Sequence, residues 1–261
     1  EWSGVIMTSR GCPYRCGFCR ARSVWGGRVT YRPVEKVLDE IESLKDRVRL
    51  LEFHDETFVA DSRRVSEIIR GMEARHIRIP WGCNARVDRV TPALLKEMAS
   101  GGCIEVLYGI ESGSDLVLER VGKGFSSAEA RRVIELTAGR IPRVTTSYIW
   151  GFPFETMEDF YQTVVCLGLD ARLEGVRSQV GLFSPLPGSP MGSSPMRLRF
   201  NPHLNPAGLF PSGERLADYP ELVEAIATHP SIFAPFYYCE HDGFEEKLEV
   251  VRRLGEGVAT A

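Results

Sequence analysis

The stretch GCPYRCGFCRAR, residues 11–22, decides how the rest of the chain is read. Three of the seven cysteines, Cys12, Cys16 and Cys19, crowd into it. A disulfide framework does not explain them. At 261 residues the chain is long enough to bury a full core without staples, its cysteine count is odd, and no secretion signal is visible. A reducing, cytoplasmic setting with metal or cluster chemistry fits better. A structural zinc asks for four ligands, usually two Cys/His pairs, and the sequence offers a triplet with no second pair at metal spacing. Zinc completed by His54 or another side chain is the alternative. Cubane iron–sulfur clusters take thiolates at close local spacing, normally four. Three would leave one iron open, free to bind a substrate or cofactor directly. Cys83 and Cys103 fall in predicted strands and read as core residues, while Cys166 and Cys239 are scattered.

Outward from that loop, strands and helices alternate. Strands are expected at 5–8, 50–54, 79–84, 104–108, 144–150 and 176–183. Helices are expected at 33–47, 61–75, 91–100, 126–138 and 156–173, with a short one after Ser114. Val34, Val37, Leu38, Ile41 and Leu44 share one face of the first. Asp61 and Thr91 stand where N-caps belong. Alternation of this kind argues for α/β architecture with a parallel sheet. A full eight-unit barrel takes about 250 residues. Six units ending near residue 190 therefore predict a partial (β/α)6 TIM-like barrel, with an open doubly wound sheet as the competitor. Residues 191–261 are rich in Pro, Gly and Ser at first, with helices expected at 220–228 and 243–254. They read as a loop-rich, helical C-terminal extension packed on the 1–190 core. The sequence opens directly on a strand, as a piece of a longer chain would.

Hydrophobic residues make up 43% of the chain and the net charge is −3, so composition makes no general case for nucleic acid. No apolar run approaches the roughly 18 residues of a membrane span. Locally, Arg10, Arg15, Arg20, Arg22, Arg28, Arg32 and Lys36 face Glu35 alone. This is either a solvated basic face or a site for an anionic ligand or an acidic electron donor.

In a parallel barrel every strand C-terminus opens on one face. The cysteine loop follows the first strand there. His54-Asp55-Glu56, Asn84-Ala85-Arg86, Gly109 to Ser112, Gly151 to Glu155 and the SPLPGSP stretch at 184–190 follow the others. Polar groups and glycines in register at six strand ends point to a ligand held across the whole mouth.

CPYRCGFC has the Cys-x3-Cys-x-aromatic-Cys form and resembles the radical S-adenosylmethionine (SAM) enzymes. The resemblance runs from about residue 3 to 190, through FHDETFVAD, NARVD, LYGIESGSD, GFPFET and PLPGSP. The ensemble is most similar to the barrel of the cobalamin-binding branch. Such proteins carry a cobalamin domain before the barrel. Either this barrel belongs to a longer chain, or it works without that domain.

The resemblance implies that Cys12, Cys16 and Cys19 ligate three irons of a [4Fe–4S] cluster and that SAM chelates the fourth. One electron then cleaves the sulfonium to methionine and a 5′-deoxyadenosyl radical. It implies Glu56, with Asp55 close behind, for the SAM ammonium, and Arg86 for its carboxylate. Glu111 and Ser112 fall to the ribose or amino-acid part. Phe18, Ile149, Gly151 and Pro153 fall to the adenine, and the 185–188 turn, with Pro185 and Leu186, to the far wall. For Asp55 and Glu56 a solvated loop is the alternative. For Arg86 it is an ion pair with Asp88 or Glu111, and for Phe18 and Ile149 ordinary packing. None of the histidines reads as catalytic.

The implied function is reductive SAM cleavage acting on a small-molecule or peptide substrate, with cobalamin-dependent methyl transfer as one form. The implied partner is an electron donor such as a flavodoxin or ferredoxin, with no membrane and no nucleic acid. The rivals are a methylthiotransferase-like enzyme, for which a second cysteine set and an RNA-binding tail are not evident, and a non-catalytic iron–sulfur or zinc module. Replacing Cys16 by Ala is expected to abolish cluster absorbance and bound iron after anaerobic reconstitution. Near-full iron in that variant would refute the ligand assignment.

Overall fold

The computed structural model describes residues 2–204 and 216–258. Six strands lie side by side in chain order: β1 (Ser3–Ile6), β2 (Leu50–Phe53), β3 (Trp81–Ala85), β4 (Cys103–Glu111), β5 (Arg143–Trp150) and β6 (Val176–Leu182). Every pairing between them is parallel, and β1 and β6 form the two edges. The fold is α/β with a six-stranded parallel sheet, as a partial TIM-like barrel requires.

Side chains alternate across each strand. Leu51, Phe53, Val106, Tyr108, Val144 and Tyr148 face the helices and join one continuous core. The apolar stripe expected on the first long helix is there: Val34–Leu44 buries Val37, Leu38 and Ile41. The caps expected at Asp61 and Thr91 are in place. Asp61 accepts from the backbone N–H of Arg63 and Arg64 to start Ser62–Ala74. Thr91 accepts from Leu94 N–H ahead of Pro92–Ser100. Ser126 with Glu129, and Thr156 with Asp159, form reciprocal capping boxes on Ser127–Ala138 and Met157–Asp170. Each such cap contributes about 1 kcal/mol.

Two strands differ from expectation in ways that shape the mouth. β1 stops at Ile6 rather than running to residue 8. The Thr8 N–H and hydroxyl donate to Asp55 at 2.6 and 2.7 Å, and the Ser9 hydroxyl donates to it at 2.6 Å, which turns the chain off the sheet. β4 runs on to Glu111, three residues past the expected end, because its register with β5 shifts between Gly109 and Glu111.

Beyond the barrel, Leu198–Phe200 pairs antiparallel with Tyr237–Cys239, and helices span Pro220–Thr228 and Phe244–Val258. Phe244 stacks on Trp150 at the end of β5, with centroids 5.3 Å apart. Tyr237 is buried with Leu216 and Ile226, and Tyr238 with Trp150 and Phe244. Of the expected 191–261 extension, residues 205–215 and 259–261 lie outside the described residues.

One buried carboxylate ties the last third of the barrel together. Asp170 accepts from Thr146 and Tyr148 hydroxyls at 2.8 Å each, from the Ser178 hydroxyl at 3.3 Å and from Arg131 at 3.1 Å. It thus joins its own helix to β5, β6 and Ser127–Ala138. Replacing Asp170 by Ala leaves a half-buried guanidinium and three hydroxyls short of an acceptor. The expected loss is roughly 3–5 kcal/mol, read as a fall in the denaturant midpoint. A loss under about 1 kcal/mol would show that water replaces the carboxylate.

Candidate active site

The cysteine loop is gripped from three directions. Gly11 opens it at φ +98°, with the Arg28 carbonyl oxygen 2.0 Å from where a Cβ would stand, so no other residue fits. Its N–H donates to Glu56 Oε2 at 3.0 Å. At the loop's centre Gly17 N–H donates to the Val121 carbonyl, and Met191 N–H donates to the Gly17 carbonyl, both at 2.9 Å. The segments after β2, β4 and β6 therefore all hold it.

The three thiols are half-buried and free of disulfides. Cys12 Sγ lies 3.8 Å from the Thr57 hydroxyl, Cys16 Sγ lies 3.7 Å from Arg86 Nη1, and Cys19 Sγ accepts Ala21 N–H at 3.4 Å. Burial pushes the Cys16 thiol up, and Lys123 and Arg86 pull it back. Cys12 and Glu111 push it up again. Burial likewise raises Cys19, with Cys16, Cys12 and Glu111 adding to it. These mutual influences put the three thiols, Glu111, Lys123 and Arg86 in one electrostatic neighbourhood.

Among the described residues no group of three or more His, Cys, Asp or Glu side chains gathers as one metal ion would require. A polynuclear cluster makes a different demand, since each thiolate meets a different iron and the sulfurs stand apart. Three soft donors on one loop, with cations beside one of them, suit an iron–sulfur cluster.

Glu111 is the strained residue of the mouth. It sits at φ +77°, a conformation rarely adopted outside glycine. The bulge turns its carboxylate back over Gly109, where Lys123 Nζ meets Oε1 at 3.1 Å. Both side chains are more than nine-tenths buried. Lys123 reaches that position from between two left-handed glycines, Gly122 at φ +74° and Gly124 at φ +73°. The sequence shows the glycine-flanked lysine but not its partner, because the pairing depends on a bulge that leaves no pattern in composition.

Arg86 is fully engaged. Its guanidinium bonds Asp88 at 2.9 and 3.2 Å, donates to the Lys123 carbonyl, and stacks on Tyr14 at 3.7 Å from the ring centroid. The ion pair with Asp88 weighed from the sequence is thus formed, and the arginine also fixes the backbone that carries Lys123. Both oxygens of Asp55 are spent on Thr8 and Ser9. Ser112 is buried against Thr163 at 3.1 Å and accepts Ser114 N–H. Glu56 supports Gly11 but is only half-buried.

Phe18 ties the cysteine loop into an apolar cluster. Phe18 and Ile149 pack in one cluster with Val117, Val121, Phe152 and Phe183. Gly151, at φ +86°, begins the turn that carries Phe152 and the half-buried Pro153. Pro185 is buried and Leu186 half-buried. A Cβ on Gly188 would stand 2.8 Å from Ser23 Oγ, so this turn lies against the short helix that follows Cys19.

The mouth of the parallel partial barrel thus sets three free thiols beside a buried Lys–Glu pair. The profile of the Radical SAM superfamily matches residues 6–167, and the chain belongs to that superfamily. It is 32% identical over 188 residues to an uncharacterized methyltransferase of Pyrococcus horikoshii, covering 71% of this chain and 40% of that protein. It is 29% identical over 210 residues to the tRNA-2-methylthio-N(6)-dimethylallyladenosine synthase of Corynebacterium jeikeium, covering 72% and 40%. The chain therefore spans about 40% of the length of these curated relatives. Its fold matches the radical SAM methyltransferase TsrM from Kitasatospora setae, solved with cobalamin and a [4Fe–4S] cluster bound, at a TM-score of 0.66 and 22% identity. That match covers 80% of this chain and 44% of TsrM.

Gly109 offers a direct check on the mouth. A Cβ there would stand 2.6 Å from Glu111 Oε1. Gly109→Ala is expected to push the carboxylate off Lys123 and cost about 1–3 kcal/mol in a denaturation measurement, as a buried group loses its partner. Unchanged stability would mean that Glu111 is not held over Gly109.

Proposed function

We propose that this chain is the catalytic barrel of a radical SAM methyltransferase that works with cobalamin. The observation that carries the reading is the three-thiol loop set beside the buried Glu111–Lys123 pair. The methyltransferase name of one relative and the cobalamin bound in the similar TsrM fold support the finer statement.

In this reading Cys12, Cys16 and Cys19 hold three irons, and the cluster supplies the electron that cleaves the SAM sulfonium. The chain's task is binding and exclusion of water. Glu111 and Lys123 offer one carboxylate and one ammonium to the zwitterionic end of SAM. Arg86 holds the Lys123 backbone in place. Phe18, Ile149, Gly151 and Pro153 border the adenine, with Pro185 and Leu186 opposite. Asp55, Glu56 and Ser112 shape the loops that carry these groups. Residues 1–190 form the core and 191–261 the extension.

The concave face of the sheet supports a polar substrate, small molecule or peptide. A cavity of about 190 Å³ there is lined by Glu52, His54, Gly82, Asn84, Glu105 and Leu107. Around the cysteine loop Arg10, Arg15, Arg20, Arg22 and Arg28 are exposed. They suit an acidic one-electron donor such as a flavodoxin or ferredoxin, drawn by charge and weakened by salt. The methylthiotransferase reading has a relative of that activity in its favour. Cys83 and Cys103 adjoin one another in the core and are buried there, away from the cysteine loop.

Reduced with dithionite, the cluster-loaded protein is expected to convert SAM to 5′-deoxyadenosine and methionine, or to S-adenosylhomocysteine where methyl transfer dominates. Both nucleosides are measured by chromatography. Lys123→Met is expected to weaken SAM binding about tenfold or more while iron content stays level, because the lysine is not a ligand. A reduced, cluster-loaded protein that forms neither nucleoside overturns the proposal.

A further inference from the structure

Lys247 has no exposed surface, although it lies on the C-terminal helix Phe244–Val258. Its ammonium has three donors and three acceptors around it. Nζ donates to the Glu155 carbonyl at 2.6 Å and to Glu155 Oε2 at 3.0 Å, and it lies 3.2 Å from His241 Nε2. His241 Nδ1 lies 3.1 Å from the Cys239 carbonyl. The tautomer is thereby set, with Nδ1–H donating and Nε2 accepting from the lysine. Burial pulls His241 below the usual imidazole range and the Lys247 charge adds to this, while the bond to the Cys239 carbonyl and the Asp242 charge oppose it.

The same Glu155 Oε2 accepts Gly151 N–H at 2.9 Å. Glu155 N–H donates to the Phe152 carbonyl, also at 2.9 Å. One side chain thus closes the Gly151–Glu155 turn. The other oxygen, Oε1, is buried and takes no hydrogen bond among the described residues. A buried carboxylate with half of its acceptor capacity unused depends on the cation beside it. Downstream of the clamp, Phe152 packs on Phe18 with centroids 6.1 Å apart, inside the cysteine loop. A Cβ on Gly151 would stand 3.6 Å from His241 Cε1, so the extension lies directly against the turn.

The geometry points to Lys247 as a positioning residue for SAM. From the extension, its ammonium clamps Glu155, and Glu155 holds the turn that borders the adenine and backs Phe18. The extension is in this way part of the cofactor site. The inference rests on the reading that SAM occupies this mouth.

The test compares wild type with Lys247→Met, both reconstituted anaerobically. Iron per chain is expected to be equal. The SAM dissociation constant, from equilibrium dialysis with labelled SAM, is expected to rise about tenfold. The KM for SAM should follow it, with kcat at saturating SAM within about twofold of wild type. Amide exchange at Gly151 is expected to speed up even without SAM. A lysine that served stability alone would lower the melting temperature and leave the KM of the folded fraction untouched. Should Lys247→Met not fold, the double variant Lys247→Met/Glu155→Gln replaces it. That change removes both charges of the pair, so no unpaired buried charge remains, and it still loosens the clamp; the same shifts are expected. Wild-type SAM affinity together with wild-type Gly151 exchange in the folded variant overturns this inference alone. A cluster-loaded wild type that binds no SAM overturns the parent reading, and this one with it.

Discussion

The carboxylate of Asp55 sets the geometry on which the mouth depends. It sits just past β2, is almost wholly buried, and accepts three short hydrogen bonds from Thr8 and Ser9 just past β1. A carboxylate in that position is stable only if donors surround it. The donors it finds are the residues that lead into the cysteine loop. The demand for satisfaction therefore bends β1 off the sheet and aims the thiols across the mouth. Glu56 repeats the device one residue on, taking the Gly11 N–H. Two acids at the end of one strand anchor the loop that starts at the end of its neighbour.

Strain is gathered on the other side of the mouth. Glu111 holds a left-handed backbone, Gly109 leaves room beneath its carboxylate, and Lys123 is delivered between two left-handed glycines. A non-glycine residue at positive φ costs on the order of 1–3 kcal/mol. The buried ion pair and the Arg86 bond to the Lys123 carbonyl hold the arrangement in place. Arg86 is itself confined by Asp88 and the Tyr14 ring. The charged groups nearest the thiols are thus fixed before any ligand arrives, which is what preorganised binding requires.

The aromatic residues join the two ends of the chain. Trp150 ends β5 and meets Phe244 and Phe160, while Phe152, two residues later, meets Phe18, Phe154 and Phe183. One strand end thus meets the extension at Trp150 and the cysteine loop at Phe152. This short segment and its Glu155–Lys247 clamp form the packed connection between the two. No helix of the described residues is long and apolar enough to cross a membrane.

Local pattern determined much of this protein. Hydrophobic runs marked six strands and the long helices between them, and Asp61 and Thr91 marked where two of the helices begin. The cysteine spacing marked the loop, because three thiolates on one short segment need no distant partner to be recognised. Parallel order followed from alternation, so Cys12 and Glu111 could be set at one mouth in advance. Tertiary structure alone decided what each polar group does there. Asp55, Glu56, Arg86 and Ser112 read as ligand contacts from their places at strand ends. In the fold, Asp55, Arg86 and Ser112 are taken up by protein partners far along the chain or two residues away, and Glu56 is partly so. Lys123 and Lys247 gave no sign of burial, since a lysine is buried only where a particular carboxylate awaits it. Those pairings depend on a bulge and on a helix about 90 residues from its partner, separations over which sequence pattern carries no information.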